Sequence, residues 1–207
     1  MRVNEIFYSI QGEGGDAGLR TIFIRLTGCN LRCKWCDTKY AYFEGEEMNA
    51  EKILEKIKKW NCKRVCITGG EPLLQDEVYY LIDKLISLGY YVSVETNGSI
   101  SIRNLAERDV IIKMDYKLPS SGFEKFMLKD NLKILRERDE LKFIIADRDD
   151  YEFAKYIIGS NIIKCSIIMQ PVWKKCKELA EWILEDEIDT RLSIQIHKII
   201  WGEKRGK

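Results

Sequence analysis

Short apolar segments rich in β-branched residues alternate along the chain with segments whose apolar residues recur at helical spacing. The first kind predicts strands buried on both faces, and the second predicts amphipathic helices. The predicted strands are 21–26, 64–67, 90–95, 110–114, 141–145, 162–169 and 192–196, and the predicted helices are 50–60, 76–88, 150–158 and 174–187. Strands that alternate with helices form a mainly parallel sheet. We therefore predict an α/β fold of about six or seven strands.

Residues at the ends of two predicted helices support their boundaries. Asn49 precedes helix 50–60 as an N-cap, and Gly89 follows helix 76–88 as a C-terminal glycine. The segment 97–108 has room for only one or two helical turns, and the N-terminal segment has the pattern of a hairpin. Units of this length form either a doubly wound sheet or a curved, barrel-like sheet.

Glycines and unusual polar residues follow five of the predicted strands. The motif TGCNLRCKWCDT follows the first strand, TGGEP the second, ETNGS the third, DYKLPSSG the fourth and QP the sixth. In both candidate architectures the chemistry gathers at the carboxyl ends of the strands. We therefore expect these motifs to meet at one rim of the sheet and to form the functional site.

Three cysteines in the first motif, Cys29, Cys33 and Cys36, have the spacing C-x3-C-x2-C. Three thiolates can hold three irons of a four-iron cluster and leave the fourth iron open. Two alternatives remain at this point: a structural zinc completed by a distant cysteine or the one histidine, or buried thiols without metal. Gly28, which permits a close backbone approach, and the flat ring of Trp35 favour the cluster.

Size and composition limit the possible functions. A chain of 207 residues predicts one domain, and a net charge of +1 gives no basic footprint for nucleic acid. No apolar segment is long enough to cross a membrane and the N-terminus lacks the pattern of a secretory signal, so we expect a cytoplasmic location. The seven cysteines then favour reduced thiols. We interpret Cys62 and Cys66 as buried thiols, with a second cluster as the alternative, whereas Cys165 and Cys176 are too far apart in the sequence to suggest a site.

The cysteine trio followed one unit later by Gly-Gly-Glu-Pro resembles the radical S-adenosylmethionine (SAM) superfamily. That resemblance implies a full or partial β/α barrel, a [4Fe-4S] cluster on the three cysteines, and SAM on the open iron. Gly70 would then leave room for backbone contacts to SAM, and Glu71 would add charge beside it. The SAM-binding residues implied by the resemblance are Trp35, Cys36, Asp37, Gly70, Glu95, Asn97, Asp115, Tyr116, Lys117 and Gln170.

A narrower resemblance links the chain to the 7-carboxy-7-deazaguanine synthases. It rests on FYSIQGEGGDAG, Arg25, CDT after the last cysteine, KLPSSG and the closing QIHKIIWGEKRGK. The family converts 6-carboxy-tetrahydropterin to 7-carboxy-7-deazaguanine, a precursor of queuosine and archaeosine, by a radical ring contraction that releases ammonia. The implied substrate-binding residues are Ile10, Gln11, Gly12, Glu13, Arg25, Thr68 and His197.

The resemblance also implies a magnesium ion bound by Thr38, whose alternative role is a helix cap. His197 is the one histidine and follows the last predicted strand. We predict one radical SAM domain over 1–207, with 1–20 contacting the substrate and 190–207 completing the pocket. The short segment after the third strand predicts an incomplete barrel.

The expected partners are a small pterin substrate, an external flavodoxin-like or ferredoxin-like electron donor, and a second copy of the chain in a homodimer. Neither nucleic acid nor a membrane is expected. Two rival functions remain: an activase that generates a glycyl radical on a partner protein, and a non-catalytic module stabilised by zinc.

Overall fold

A computed structural model describes residues 1–172 and 175–207, and its strands form a single sheet. The nine strands of the described residues lie in the order β3-β1-β2-β4-β5-β6-β7-β8-β9. Their bounds are β1 Arg2–Ile10, β2 Arg20–Leu26, β3 Glu46–Glu47, β4 Arg64–Gly69, β5 Tyr91–Thr96, β6 Val110–Tyr116, β7 Glu140–Ile145, β8 Ser166–Pro171 and β9 Arg191–Leu192. Strand β1 pairs antiparallel with both β2 and β3. The remaining pairs, from β2–β4 to β8–β9, are parallel. The predicted partial barrel is confirmed, since the two end strands do not pair with each other.

The C-terminal part of the sequence prediction was wrong in two places. The strand predicted at 162–169 begins only at Ser166, and Ile162 is exposed. The strand predicted at 192–196 ends at Leu192, because only two residues of β9 pair with β8. A helix follows, in which Ile196, Ile199 and Ile200 recur at helical spacing.

The first six helices cover one face of the sheet, whereas the last one lies at the opposite face. Their bounds are α1 Ala50–Ile57, α2 Glu77–Ser87, α3 Arg103–Ala106, α4 Asn131–Ile134, α5 Arg148–Gly159, α6 Cys176–Glu185 and α7 Ile196–Trp201. Both predicted end signals are confirmed: the Asn49 side chain accepts a hydrogen bond from the amide of Lys52, and Gly89 has a φ of 73°. Residue 174, the predicted start of α6, lies outside the described residues. No helix of the described chain is long and apolar enough to cross a membrane.

Alternation along the strands gives the sheet two different faces. On β6, Ile112 and Met114 are buried against the helices, whereas Lys113 and Asp115 point to the opposite, concave face. The same alternation on the neighbouring strands builds an aliphatic core between sheet and helices. The concave face instead carries most of the charged and polar side chains that the sheet buries.

Candidate active site

The concave face of the sheet encloses a cavity of about 420 Å³. Loops at the carboxyl ends of the strands, the N-terminal loop after β1 and the C-terminal segment all contribute to its lining. The residues that the sequence assigned to the site line this cavity, with two exceptions, Tyr116 and Glu71. The predicted convergence of the motifs on one rim is therefore seen in the structure.

Tyr116 is the first exception, and its predicted contact with SAM has no support in the structure. Its side chain is only 3% exposed and packs with Phe143 in the core, at a ring-centroid distance of 5.8 Å. Because side chains alternate along a strand, Tyr116 faces the helices while Asp115 and Lys117 face the cavity.

The cysteine loop follows β2 and borders the cavity with all three thiols, each of them half-buried and free of disulfides. The amide of Leu31 lies 3.4 Å from the sulfur of Cys29, and the Asn97 side-chain nitrogen lies 3.9 Å from that sulfur. Burial raises the pKa of the Cys29 and Cys33 thiols. Donors beside a sulfur favour its anionic form, which is the form that binds metal.

Gly70 packs the end of β4 against the cysteine loop. A Cβ at this position would lie 2.1 Å from the carbonyl oxygen of Gly28 and 2.7 Å from Cβ of Cys29. No side chain larger than hydrogen fits there, so the close approach requires glycine. The Gly-Gly pair therefore sets the distance between β4 and the loop that carries the thiols.

Glu71 has a different role from the one that the sequence predicted. It is fully buried and does not border the cavity. Its carboxylate accepts hydrogen bonds from the Asn97 amide at 2.6 Å, the Thr96 hydroxyl at 2.9 Å and the Leu73 amide at 3.0 Å. Glu71 thus ties the end of β4 to the end of β5 and orients Asn97, rather than placing charge beside a ligand.

Glu95, which the sequence assigned to SAM, contacts two residues that the sequence assigned to the substrate. One carboxylate oxygen accepts a 2.8 Å hydrogen bond from the Thr68 hydroxyl, and the other lies 3.3 Å from the Gln11 side-chain nitrogen. That nitrogen also lies 3.8 Å from the sulfur of Cys66, which is buried on the concave face. Cys66 therefore lies beneath the site as a buried thiol.

Arg25 is held by Glu5 and by two aromatic rings. Its Nε donates to Glu5 at 2.8 Å, and its guanidinium lies 5.7 Å from the centre of the Phe7 ring and 5.8 Å from that of Tyr40. Burial alone would lower the pKa of Arg25, but Tyr40 and Glu5 raise it above its ordinary value. In the described part of the chain Glu5 uses only Nε, so the terminal nitrogens remain for a planar anion.

A second charged group crosses the cavity from the N-terminal loop to β6 and β7. Lys142 Nζ lies 2.7 Å from Glu13 Oε2 and 3.7 Å from Asp115 Oδ1, and Lys117 Nζ lies 2.9 Å from Asp115 Oδ2. Burial alone would raise the pKa of the Glu13 carboxyl, but the positive charge and hydrogen bond of Lys142 outweigh burial and lower that pKa. Gln195 donates to the other Glu13 oxygen at 2.6 Å. The predicted Glu13 is thus held from two sides.

Thr38 lies at the edge of the cavity beside Asp37. Its hydroxyl donates to Asp37 Oδ1 at 3.0 Å, and Lys198 lies 3.1 Å from the other oxygen. Thr38 precedes a short 3-10 turn, but its side chain makes no capping hydrogen bond there. The helix-cap alternative is therefore wrong, and the hydroxyl is available to the cavity.

His197 lies in the first turn of α7, not at the end of a strand, and still reaches the cavity. A Cβ at Gly12 would lie 1.9 Å from His197 Nδ1, so the glycine is required for this contact. The Ile196 amide donates to the Gly12 carbonyl at 3.1 Å. The N-terminal loop and the C-terminal helix thus form one wall of the cavity.

Comparisons with known proteins agree with this arrangement. Residues 23–116 match the family model described as the radical SAM superfamily. Two proteins named 7-carboxy-7-deazaguanine synthase are similar along almost their whole length. The one from Thermoplasma acidophilum is 41% identical and covers 100% of both chains, and the one from Koribacter versatilis is 39% identical and covers 97% of both.

A solved structure described as QueE from Escherichia coli has a TM-score of 0.80 and 26% identity, and the match covers 94% of this chain and 93% of that one. The chain belongs to the 7-carboxy-7-deazaguanine synthase family. As the sequence predicted, it is a radical SAM enzyme. The match to the 7-carboxy-7-deazaguanine synthases favours the predicted synthase function over both rivals, the activase and the zinc-stabilised module.

The lining of the cavity fits the two cofactors of the superfamily. The three thiols of Cys29, Cys33 and Cys36 supply soft ligands for a [4Fe-4S] cluster. Two buried oxygens on the same cavity, Gln170 Oε1 and Asp115 Oδ1, have no hydrogen-bond partner within residues 1–172 and 175–207. Buried acceptors of this kind normally have a donor, and the amino and hydroxyl groups of SAM are such donors. The described residues contain no group of three His, Cys, Asp or Glu side chains arranged for a single metal ion.

Sequence reasoning missed several residues that line the cavity: Tyr42, Lys113, Lys142, Gln195, Lys198 and Lys207. The two strand lysines left a signal, since each stands alone inside an otherwise apolar segment, VIIKM or LKFII. A lysine in a buried strand is rare unless it is paired. The C-terminal residues left no such signal, because the last predicted strand ended at residue 196 and no helix was predicted after it.

Proposed function

We propose that this chain is a lyase that converts 6-carboxy-5,6,7,8-tetrahydropterin to 7-carboxy-7-deazaguanine with release of ammonia. The product is the precursor of the 7-deazapurines queuosine and archaeosine. One observation carries the proposal: a single cavity is lined both by the cysteine trio and by an arginine whose terminal nitrogens remain for a planar anion. Residues 1–207 act as one radical SAM domain in this proposal.

The residues assigned to the cofactors lie on the cysteine loop and at the carboxyl ends of β4, β5, β6 and β8. Cys29, Cys33 and Cys36 hold the cluster, which when bound supplies the electron that cleaves SAM to a 5′-deoxyadenosyl radical. Gly70 gives SAM access to backbone groups, and Asn97 is oriented toward the thiols by its bond to Glu71. The remaining residues assigned to SAM are Trp35, Cys36, Asp37, Glu95, Asp115, Lys117 and Gln170.

The residues assigned to the substrate lie on the end of β1, the N-terminal loop, β2, β4 and α7. Arg25 binds the pterin carboxylate with its terminal nitrogens, because a guanidinium can hold a carboxylate through two parallel hydrogen bonds. Glu13 accepts hydrogen bonds from the amino and ring N–H groups of the pterin, and Lys142 keeps it anionic. The other substrate contacts assigned here are Ile10, Gln11, Gly12, Thr68 and His197.

Magnesium is part of the proposal, with Thr38 as its protein ligand. A magnesium ion retains several waters and takes only a few protein oxygens, so one hydroxyl together with substrate oxygens is a sufficient set. The neighbouring carboxylate of Asp37 supports the assignment by placing negative charge beside that hydroxyl.

The partners in this proposal are those a reductive radical reaction needs. An external protein of the flavodoxin or ferredoxin type supplies electrons, and the enzyme works in the cytoplasm, where its seven cysteines stay reduced. The open sheet supports a homodimer, because a second subunit can cover the side of the barrel that the strands leave unclosed.

A reconstitution assay tests the proposed function. The protein is loaded with iron and sulfide without oxygen, then incubated with dithionite, SAM, magnesium and 6-carboxy-tetrahydropterin. We expect 7-carboxy-7-deazaguanine together with 5′-deoxyadenosine. Release of 5′-deoxyadenosine without any deazaguanine product would contradict the assigned substrate, while leaving the assignment to the superfamily in place.

A further inference from the structure

A group of buried charges lies at the amino ends of the parallel strands, opposite the rim that carries the cysteines. We call it the floor cluster and define it as Asp16, Arg64, Lys113 and Glu140. Lys113 Nζ lies 2.9 Å from Asp16 Oδ2 and 3.8 Å from Glu140 Oε1, and Arg64 Nε lies 3.4 Å from Asp16 Oδ1. Three of the four side chains are at most 12% exposed.

The floor cluster joins three strands to the loop between β1 and β2. Arg64, Lys113 and Glu140 belong to β4, β6 and β7, whereas Asp16 is part of the loop. Glu140 also accepts a 2.9 Å hydrogen bond from the amide of Gly15. Two of the loop's consecutive residues are therefore bonded to the floor of the sheet.

The loop packs tightly on Glu140 because it carries glycine there. A Cβ at Gly14 would lie 2.4 Å from Glu140 Oε2, and Gly14 has a φ of +70°, which side chains other than glycine rarely adopt. The loop is closed at its base by hydrogen bonds from Gln11 N to Leu19 O at 2.8 Å and from Gly18 N to Gln11 O at 2.9 Å. Its conformation thus depends on contacts below it as well as on its own backbone.

The residues proposed to bind the pterin come just before this anchored segment. Gln11, Gly12 and Glu13 border the cavity, and Asp16 follows Glu13 by only three positions. Asp16 and Glu140 do not border the cavity, so they have no direct contact with a ligand there. A shift of the anchor would move the recognition residues without removing any of them.

We infer that Asp16 and Glu140, through Lys113, are positioning residues. They hold the N-terminal loop in the position that substrate recognition by Gln11, Gly12 and Glu13 requires. This inference rests on the proposed function. Two acidic and two basic side chains balance within the cluster, which lets the charges remain buried. Misplacement of a binding group by about 1 Å can cost roughly a hundredfold, and the loop carries residues assigned to the substrate but none assigned to SAM or the cluster. The expected effect therefore falls on substrate affinity and not on the cofactors.

The test is Asp16→Asn, which keeps the shape of the side chain and removes its charge. We expect the KM for 6-carboxy-tetrahydropterin to rise at least about tenfold, with kcat and the KM for SAM within about twofold. Iron content should match that of the wild type. Hydrogen exchange of the protein without substrate should be faster in residues 11–19, because the amides of Gln11 and Gly18 lose protection.

Two further variants make the outcome decisive. The double variant Asp16→Asn with Arg64→Met removes one charge of each sign and keeps Lys113, which borders the cavity. It should fold even if the single variant does not, and it should show the same rise in KM. Asp150→Asn is the control, because Asp150 is another buried carboxylate, which accepts hydrogen bonds from the amides of Ser120 and Ala146, away from the loop. We expect the control to leave the KM unchanged.

Other results would overturn the inference. An unchanged KM and unchanged exchange in the Asp16 variants would show that the loop does not depend on the cluster. Loss of iron, or an equal effect in Asp150→Asn, would show a general loss of structure instead of a positioning role. A wild-type protein without deazaguanine product would refute the proposed function, and the exchange comparison would still test the anchoring of the loop.

Discussion

The two faces of the central sheet use the same strands and differ in almost every other respect. On β7, Phe143 and Leu141 face the helices and are fully buried, while Lys142 between them lies in a network of charges on the concave face. The helix-covered face gains its stability from the area of apolar surface removed from water. The concave face obtains specificity from pairs of charges that are costly to separate.

This difference teaches that a residue's face, more than its strand, decides what its loss should do. A substitution on the helix face should lower the free energy of unfolding and spare the chemistry. A substitution on the concave face should change binding or cofactor content at a smaller cost in stability. Four predictions follow this contrast from the largest effect to the smallest.

The largest effect is expected from Cys33→Ser in the cysteine loop. A hydroxyl is a poor ligand for iron–sulfur clusters, which are held by thiolates. Activity should fall by about three orders of magnitude or more, since the difficult step belongs to the cofactor and not to the protein. Iron analysis and the visible absorption of the cluster measure the loss. Cys176→Ser, on α6, is the control and should keep its iron; equal iron in both variants would contradict the assignment.

On the helix face, Phe143→Ala should reduce the free energy of unfolding by about 3–5 kcal/mol, the usual cost of removing a buried phenylalanine ring. Urea denaturation measures the change. The kcat/KM should stay within about twofold of wild type at temperatures where the variant is folded. Phe143→Leu leaves a smaller cavity and should cost less. A large loss of kcat/KM in either variant would mean that the two faces are not independent.

Arg25→Ala, on the concave face, should weaken substrate binding and have little effect on the free energy of unfolding, the reverse of Phe143→Ala. Hydrogen bonds to a charged group contribute about 1.5–3 kcal/mol, so the KM for the carboxylated pterin should rise by roughly tenfold to a hundredfold. Steady-state kinetics with saturating SAM measure it. Arg25→Lys should recover only part of the affinity, because a lysine cannot form two parallel bonds. Loss of iron in Arg25→Ala would contradict a role confined to the substrate.

The smallest effect is a dependence of stability on pH that originates at Glu13. Lys142 holds the pKa of this carboxyl below its ordinary value of 4.5. The group is therefore stabilising above that value, and its contribution is lost as the pH falls through the lowered pKa. Glu13→Gln should have a lower Tm than wild type near neutral pH, with a difference that shrinks on acidification. A difference that stays constant down to about pH 3 would contradict the ion pair.

Much of the site was accessible from the sequence because its residues belong to motifs. The cysteine spacing, the Gly-Gly pair and the Gln-Gly-Glu segment each indicate a chemical role from a few neighbouring residues. Their convergence could be predicted as well, because the carboxyl ends of parallel strands meet at one rim. Glu71 and Tyr116 were misjudged for the opposite reason. Each stands inside a motif, yet its side chain points into the protein, and the direction depends on local backbone geometry that spacing does not reveal.

By itself, the sequence determined the alternation of strands and helices in the parallel part of the sheet, the candidate cluster ligands and the family, because these depend on local periodicity and on residue types at short spacing. Only the tertiary structure decided that the last strand ends at Leu192 and is followed by α7, that Lys142 meets Glu13 across 129 positions, and that Asp16 anchors the N-terminal loop to Lys113 across 97. Such pairs are selected by the fold, since a buried charge requires a partner but does not specify where along the chain that partner lies.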